Sequence, residues 1–191
     1  YGLSETSPVA SFNHLDRERK PGSVGTPIWG VEMRIVDADD HELPPVQPGE
    51  IVIRGHNVMK GYYKRDEANA EAFKGGWFHS GDMGTLDADG LLRIIDRRDD
   101  LIISGGENIY SAQVENAIHR HPAVLEAAVI GVPDDEWGEA VKAIVALKPG
   151  MRATAEEIIA VAREHLASYQ KPRSVDFVDA LPKAPTGKIL K

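Results

Sequence analysis

LRIIDRRDDLIISGG, residues 92–106, separates two kinds of sequence. Two mainly apolar segments, 92–95 and 101–103, flank the charged run Asp96-Arg97-Arg98-Asp99-Asp100. Upstream of that run, Val31, Met33 and Ile35 alternate with polar residues, as do Leu92 and Ile94. Alternation at period two marks a strand with one buried face. Ile51-Val52-Ile53 is instead an unbroken β-branched run, which predicts a strand buried on both faces. Turn-rich stretches at 37–40, 44–49 and 87–90 separate these segments, and one short helix is expected over 67–73. Many short strands with frequent turns predict a β-rich, barrel-like piece.

Downstream the periodicity changes. Val114, Ala117 and Ile118 have helical spacing, and Pro122 follows as a stop. Apolar runs at 124–132 and 141–147 read as buried strands. Thr154 and Glu157 form a capping box that opens a helix with Ile158, Val161, Ala162 and Leu166 on one face. A last strand is expected over 174–178, before a polar tail with Pro182, Pro185 and Gly187. The fold class is therefore α+β: a β-rich, barrel-like region over 1–96, then a small α/β domain over 97–191. A short charged joint between two such regions can absorb a backbone rotation, as hinges at element termini do. It can equally be a solvated loop.

Composition narrows the function classes. Hydrophobic residues make up 42% and charged residues 27%, which sets disorder aside for most of the chain. The net charge of −8 offers no basic face to a phosphate backbone, so nucleic acid is excluded as a partner. Phosphate chemistry here must rest on a few placed cations. Cysteine is absent, which removes disulfides, thiolate metal sites and a Cys nucleophile, and suits a reducing cytosol. No apolar run reaches membrane-spanning length. The chain opens in mid-motif at Tyr1, and reads as the C-terminal part of a longer polypeptide.

Four further stretches carry chemistry. In Tyr1-Gly2-Leu3-Ser4-Glu5-Thr6, a carboxylate flanked by hydroxyls can hold Mg²⁺ beside phosphates, or can cap a helix. In Gly76-Trp77-Phe78-His79-Ser80-Gly81-Asp82, an Asp after Gly can accept hydrogen bonds from both hydroxyls of a ribose, or can serve an ordinary turn. Ser104-Gly105-Gly106-Glu107-Asn108 allows positive φ and close backbone approach, yet lacks the Lys of a phosphate-binding P-loop and the spacing of a dinucleotide fingerprint. Pro185-Thr186-Gly187-Lys188 can bring a compact positive charge to a transferring phosphate or carboxylate. Singly, each motif has an ordinary structural reading.

Together, in this order and spacing, they resemble the adenylate-forming superfamily of acyl-CoA synthetases, luciferases and peptide-synthetase adenylation domains, over the whole chain. The resemblance implies an acid–CoA ligase that uses ATP, Mg²⁺ and CoA. Tyr1 and Gly2 would lie by the nucleotide, Ser4 near the phosphates and Glu5 on Mg²⁺. Asp82 and Arg97 would hold the ribose, and Asp99 would be the hinge. Lys188 would serve adenylation, after which the Gly105-Gly106 loop would line the pantetheine tunnel. Trp137 matches an aromatic on that path, and Lys171 and Arg173 match positions that contact the CoA nucleotide in some relatives.

The hinge stretch 99–108 and the tail 185–191 follow the CoA-ligase version rather than the peptide-synthetase one, which has a Gln after the hinge and an Asn-Gly-Lys-Val-Asp-Arg tail. Ser80 replaces the more usual Thr and keeps the hydroxyl. Residues 55–63 with Gly76-Trp77-Phe78 look most like fatty-acyl ligases, which implies a medium- or long-chain fatty acid. The expected place is the cytoplasm, free or peripheral to a membrane, with room for a homo-oligomer. The rival readings are an adenylating enzyme that loads a carrier protein and a non-catalytic regulatory module. The family's Gly/Ser/Thr-rich phosphate loop and most of the acyl pocket are not in these residues, so the 191-residue chain alone is expected to be inactive.

Overall fold

The computed structural model describes residues 1–16 and 19–191. It groups the chain into two compact units, Tyr1–Arg98 and Asp99–Lys191.

The first unit is built on an antiparallel meander of β3 (Val31–Val36), β4 (Gly49–Gly55), β5 (Phe78–Leu86) and β6 (Leu92–Arg97), preceded by the short pair β1 (Ser11–Phe12) and β2 (Thr26–Pro27). One helix, α1 (Asp66–Ala72), precedes β5. Val31, Met33 and Ile35 turn inward from β3 and pack with Ile51, Ile53, Phe78 and Leu92. In β4, Val52 is buried as well, as the β-branched run predicts. Away from this core, the Arg34 and Arg54 guanidinium groups lie over the Trp77 ring, 4.6 and 4.4 Å from its centroid. Each contact adds a modest cation–π attraction.

The barrel-like expectation needs correction, because among the described residues the sheet is open. Its order is β3-β4-β5-β6, and β6 does not pair with β3. A barrel closes only when its first and last strands meet, which four strands around a filled core do not achieve. The division between units falls inside the charged run, where β6 continues through Arg97. That pairing keeps Arg97 with the first unit, opposite Asp82.

The second unit begins with the hairpin β7 (Leu101–Ser104) and β8 (Glu107–Tyr110), followed directly by α2 (Ser111–Ile118). Then come β9 (Val124–Asp134), β10 (Gly138–Leu147), α3 (Ala155–His165) and β11 (Ser174–Val178). β10 pairs with β9 along its whole length and with β11 in parallel, with α3 as the crossover. The α3 capping box forms as expected: Glu157 N–H donates to Thr154 Oγ1 at 3.3 Å, and Thr154 N–H to the Glu157 carboxylate at 2.8 Å. Ile118 and Val114 of α2 and Ile158 of α3 are buried with Ile102, Val129, Val141 and Val145. Each fully buried aliphatic side chain there stabilises by about 1.5–3 kcal/mol relative to exposure. Among the described residues, no helix is long and apolar enough to cross a membrane.

Candidate active site

Asp82 owes its placement to a local fault in the sheet. Glu50 faces Met83 across β4 and β5, but Val52 faces His79, so Ser80, Gly81 and Asp82 stand opposite Ile51 alone. Bulges of this kind re-aim a side chain. Gly81 makes this one possible with a φ of +71°. The Gly81 N–H donates to Glu50 Oε1 at 3.0 Å. Ser80 Oγ donates to the Ile51 carbonyl at 2.7 Å and accepts the Asp82 N–H at 3.1 Å, so the hydroxyl kept at this position has a structural use.

The Asp82 carboxylate is buried and receives two partners. Tyr1 donates its phenol to Oδ2 at 2.6 Å, and Arg97 Nε lies 3.6 Å from Oδ1. Burial, then the hydrogen bond to Asp82, push the Tyr1 phenol well above its usual pKa, which keeps it a donor. Beneath them, Glu50 Oε2 lies 3.2 Å from both His79 Nδ1 and Arg98 Nη1. Glu50 was not anticipated from sequence. Its one available signal is a charged residue in the otherwise apolar Gly49–Ile53 run, where a buried carboxylate must be paired.

Glu5 lies on a single 3₁₀ turn, Ser4–Thr6. Buried Thr6 ties that turn together: its Oγ1 accepts the Leu3 N–H at 2.9 Å and reaches the Leu3 and Pro8 carbonyls at 3.0 Å. A side chain on Gly2 would meet the Pro8 carbonyl oxygen at 1.8 Å, so only glycine allows the loop to fold back on itself. Tyr62 donates its phenol to Glu5 Oε1 at 2.9 Å, with the phenol raised by burial and by that bond. The second Glu5 oxygen has no hydrogen-bond partner among the described residues. Ser4 is exposed.

In the second unit, Gly105 and Gly106 are the two turn residues of the β7–β8 hairpin, with φ of +61° and +83°. Two-residue hairpin turns of the primed type require positive φ. Trp137 covers Gly105: an added Cβ would lie 2.5 Å from its ring, and the Gly105 N–H donates to the Trp137 carbonyl at 2.9 Å. The Arg173 guanidinium lies 5.3 Å from the centroid of the same ring. Gly105, Trp137, Lys171 and Arg173 line one cavity of about 290 Å³ with Ser104, Glu107, Ser168 and Tyr169. Gly106 does not line it.

Lys188 stands apart from this cavity, exposed on a closed loop, and its side chain has no partner among the described residues. Asp99 lies on the 3₁₀ turn Arg98–Asp100. The structure thus joins Tyr1, Asp82 and Arg97 in one cluster and Gly105, Trp137, Lys171 and Arg173 around one cavity.

In fold, both units match adenylate-forming enzymes. ATP-bound MatB from Rhodopseudomonas palustris superposes with a TM-score of 0.91 at 37% identity, over 99% of this chain and 38% of that one. Feruloyl-CoA synthase from Amycolatopsis is 47% identical over all of this chain and 39% of its own length. Long-chain-fatty-acid–CoA ligase from Escherichia coli is 43% identical over all of this chain and 34% of its own length. The AMP-binding enzyme family matches residues 1–63, and its C-terminal domain matches 113–188. The chain belongs to the AMP-binding enzyme family. It spans about two fifths of the length of the feruloyl-CoA synthase it resembles.

Proposed function

We propose that the enzyme carrying this segment activates a carboxylic acid with ATP as its acyl-adenylate and transfers the acyl group to CoA. The observation that carries this reading is the buried Asp82 carboxylate, presented on a bulge between Tyr1 and Arg97. An acceptor-only group so fixed suits a ribose diol, whose hydroxyls both donate. The Tyr1 ring would lie against the adenine, with Gly2 in the same loop. Ser4 would lie near the phosphates.

Glu5 fits Mg²⁺, because one carboxylate oxygen is held by Tyr62 and the other is left for a hard cation that also takes phosphate oxygens. Such an ion would neutralise phosphate charge. In adenylation a substrate carboxylate oxygen bonds to the α-phosphorus and pyrophosphate leaves. Both reactants are anionic, so a cation between them lowers the barrier, and this is the role of Lys188. In the second half-reaction the CoA sulfur bonds to the acyl carbon and AMP leaves. The Gly105-Gly106 turn and Trp137 would border the pantetheine, and Lys171 and Arg173 the CoA phosphates. We assign the first unit to the end of the large AMP-binding domain and the second to the small mobile domain, which turns about Asp99 between the half-reactions.

For the acyl group we propose a medium- or long-chain fatty acid, as the 55–63 stretch suggests. The 47% identity to a feruloyl-CoA synthase favours an aryl acid as the second reading. Products of the full-length enzyme given ATP, Mg²⁺, CoA and a panel of carboxylates, identified by mass spectrometry, test both. Acyl-CoA plus AMP is expected, and the preferred acid decides between the acyl classes. Acyl-adenylate without thioester would instead point to loading of a carrier protein, and no adenylate at all to a regulatory module. The 191-residue chain alone is expected to catalyse no ATP–pyrophosphate exchange.

A further inference from the structure

We propose that Lys191 is a positioning residue for Lys188: it pins the tail that bears Lys188 to the segment beside Asp99. The inference rests on the adenylation role given to Lys188 above.

Lys191 and Lys188 are three residues apart and are held in opposite ways. The Lys191 side chain is only 18% exposed. Its Nζ lies 2.6 Å from Ser111 Oγ, 2.8 Å from Glu115 Oε1 and 3.2 Å from Asp100 Oδ2. An ammonium has three donors, and all three are used here. Burial pulls its pKa down, but the hydrogen bond and charge of Glu115, with Asp100, more than offset this and leave it raised. An exposed ion pair contributes little, whereas a lysine shared by two carboxylates and sheltered from water has one geometry to hold.

The tail between the anchors is short and closed. Ala184 N–H donates to the Lys188 carbonyl at 2.8 Å, and Gly187 N–H to the Ala184 carbonyl at 2.8 Å. Lys183 and Ile189 form an antiparallel bridge, and Leu190 N–H donates to the Pro182 carbonyl at 2.9 Å. On the other arm, Lys183 Nζ lies 2.6 Å from Glu126 Oε1. The loop that presents Lys188 is therefore pinned on both sides, and three residues of chain span at most about 10 Å. Asp100 directly follows the proposed hinge residue, and Ser111 and Glu115 belong to α2. A tail fixed to these points travels with its unit as a rigid attachment and carries Lys188 at a set reach. A shift of about 1 Å at a reacting group can cost about 100-fold.

The test compares Lys191→Met, Lys191→Arg and Lys188→Ala in the full-length enzyme, with ATP–pyrophosphate exchange and thioester formation from supplied acyl-adenylate measured on the same samples. Lys191→Met is expected to lower the kcat of exchange by about 100-fold and leave thioester formation unchanged, and Lys191→Arg to restore most of the loss. Equal loss of both half-reactions would show Lys191 to be a structural support only and overturn the proposal. So would normal exchange in Lys191→Met alongside a dead Lys188→Ala. If Lys188→Ala itself kept normal exchange, the role of Lys188 would fail first, and the anchor's purpose with it.

Discussion

Asp82 and Lys188 carry the opposite charges that the proposed chemistry needs, and the protein holds them by opposite means. Asp82 is buried, and the bulge that carries it is fixed by the Ser80 and Glu50 side chains through bonds of 2.7–3.1 Å. Its carboxylate is already engaged by Tyr1. Lys188 is exposed, and only the loop around it is fixed. The first is a site made in advance, where bound nucleotide trades one hydrogen-bond donor for another. The second is a reagent on a rigid arm. A group needed throughout the reaction can be locked in place, whereas one needed in a single step must be brought and withdrawn.

The sharpest way to break this contrast is Lys188→Ala. Loss of one cation that stabilises developing charge is expected to lower adenylation by about 10³-fold. Thioester formation from supplied acyl-adenylate should be unchanged, since the Lys188 side chain has no partner among the described residues whose loss would disturb the fold. Equal loss in both assays would make Lys188 a general binding residue. Asp82→Ala should behave differently. It removes a charge-assisted acceptor used by every nucleotide-bound state, so both half-reactions should weaken, by about 10²-fold in kcat/KM. Steady-state kinetics with ATP and with acyl-adenylate would show whether the loss is shared. A loss confined to adenylation would remove the ribose assignment.

Gly105→Ala carries the comparison into the second unit. The residue has a φ of +61°, and the new methyl would press on the Trp137 ring. The backbone strain alone is about 1–2 kcal/mol, so thioester formation is expected to fall by about 10-fold. ATP–pyrophosphate exchange should not change. A drop in exchange of the same size would mean that the Gly105 turn supports the whole unit rather than the CoA path.

These residues also show what sequence can and cannot convey. The α3 capping box was readable because both partners, Thr154 and Glu157, lie three positions apart and the bonds are local. The β-branched run at 51–53 was readable because its burial follows from side-chain type. The open sheet was not, because closure depends on whether β3 meets β6, and no local pattern encodes that pairing. The two-residue strand Ser11–Phe12 lacks enough length to show a period. Asp82, Arg97 and Lys188 were singled out by a joint motif pattern, whereas Glu50 and Lys191 were not. Glu50 acts on Gly81, 31 positions away, and Lys191 on Ser111, 80 positions away. A lone acidic or basic residue gives no sign of so distant a partner.

The mildest prediction concerns Tyr1, and it asks whether the Asp82 site is as closed before nucleotide binds as its geometry implies. A free phenol ionises near pH ~10. Burial disfavours the phenolate, and the bond to Asp82 disfavours it further by placing two negative charges together. The folded-state pKa is thus raised above the unfolded value. The stabilisation is therefore fully present below pH ~10 and is lost progressively as pH rises from there to the higher folded value. No effect is expected at neutral pH. The chain has five tyrosines, so the measurement is the phenolate absorbance of the wild type minus that of Tyr1→Phe during alkaline titration. Tyr1 should give no step where ordinary phenols ionise. Asp82→Asn should bring the step part of the way back, because burial remains after the charge is gone. A normal step in the unsubstituted protein would mean that water reaches Asp82 freely, and the contrast with Lys188 would then be one of position rather than of enclosure.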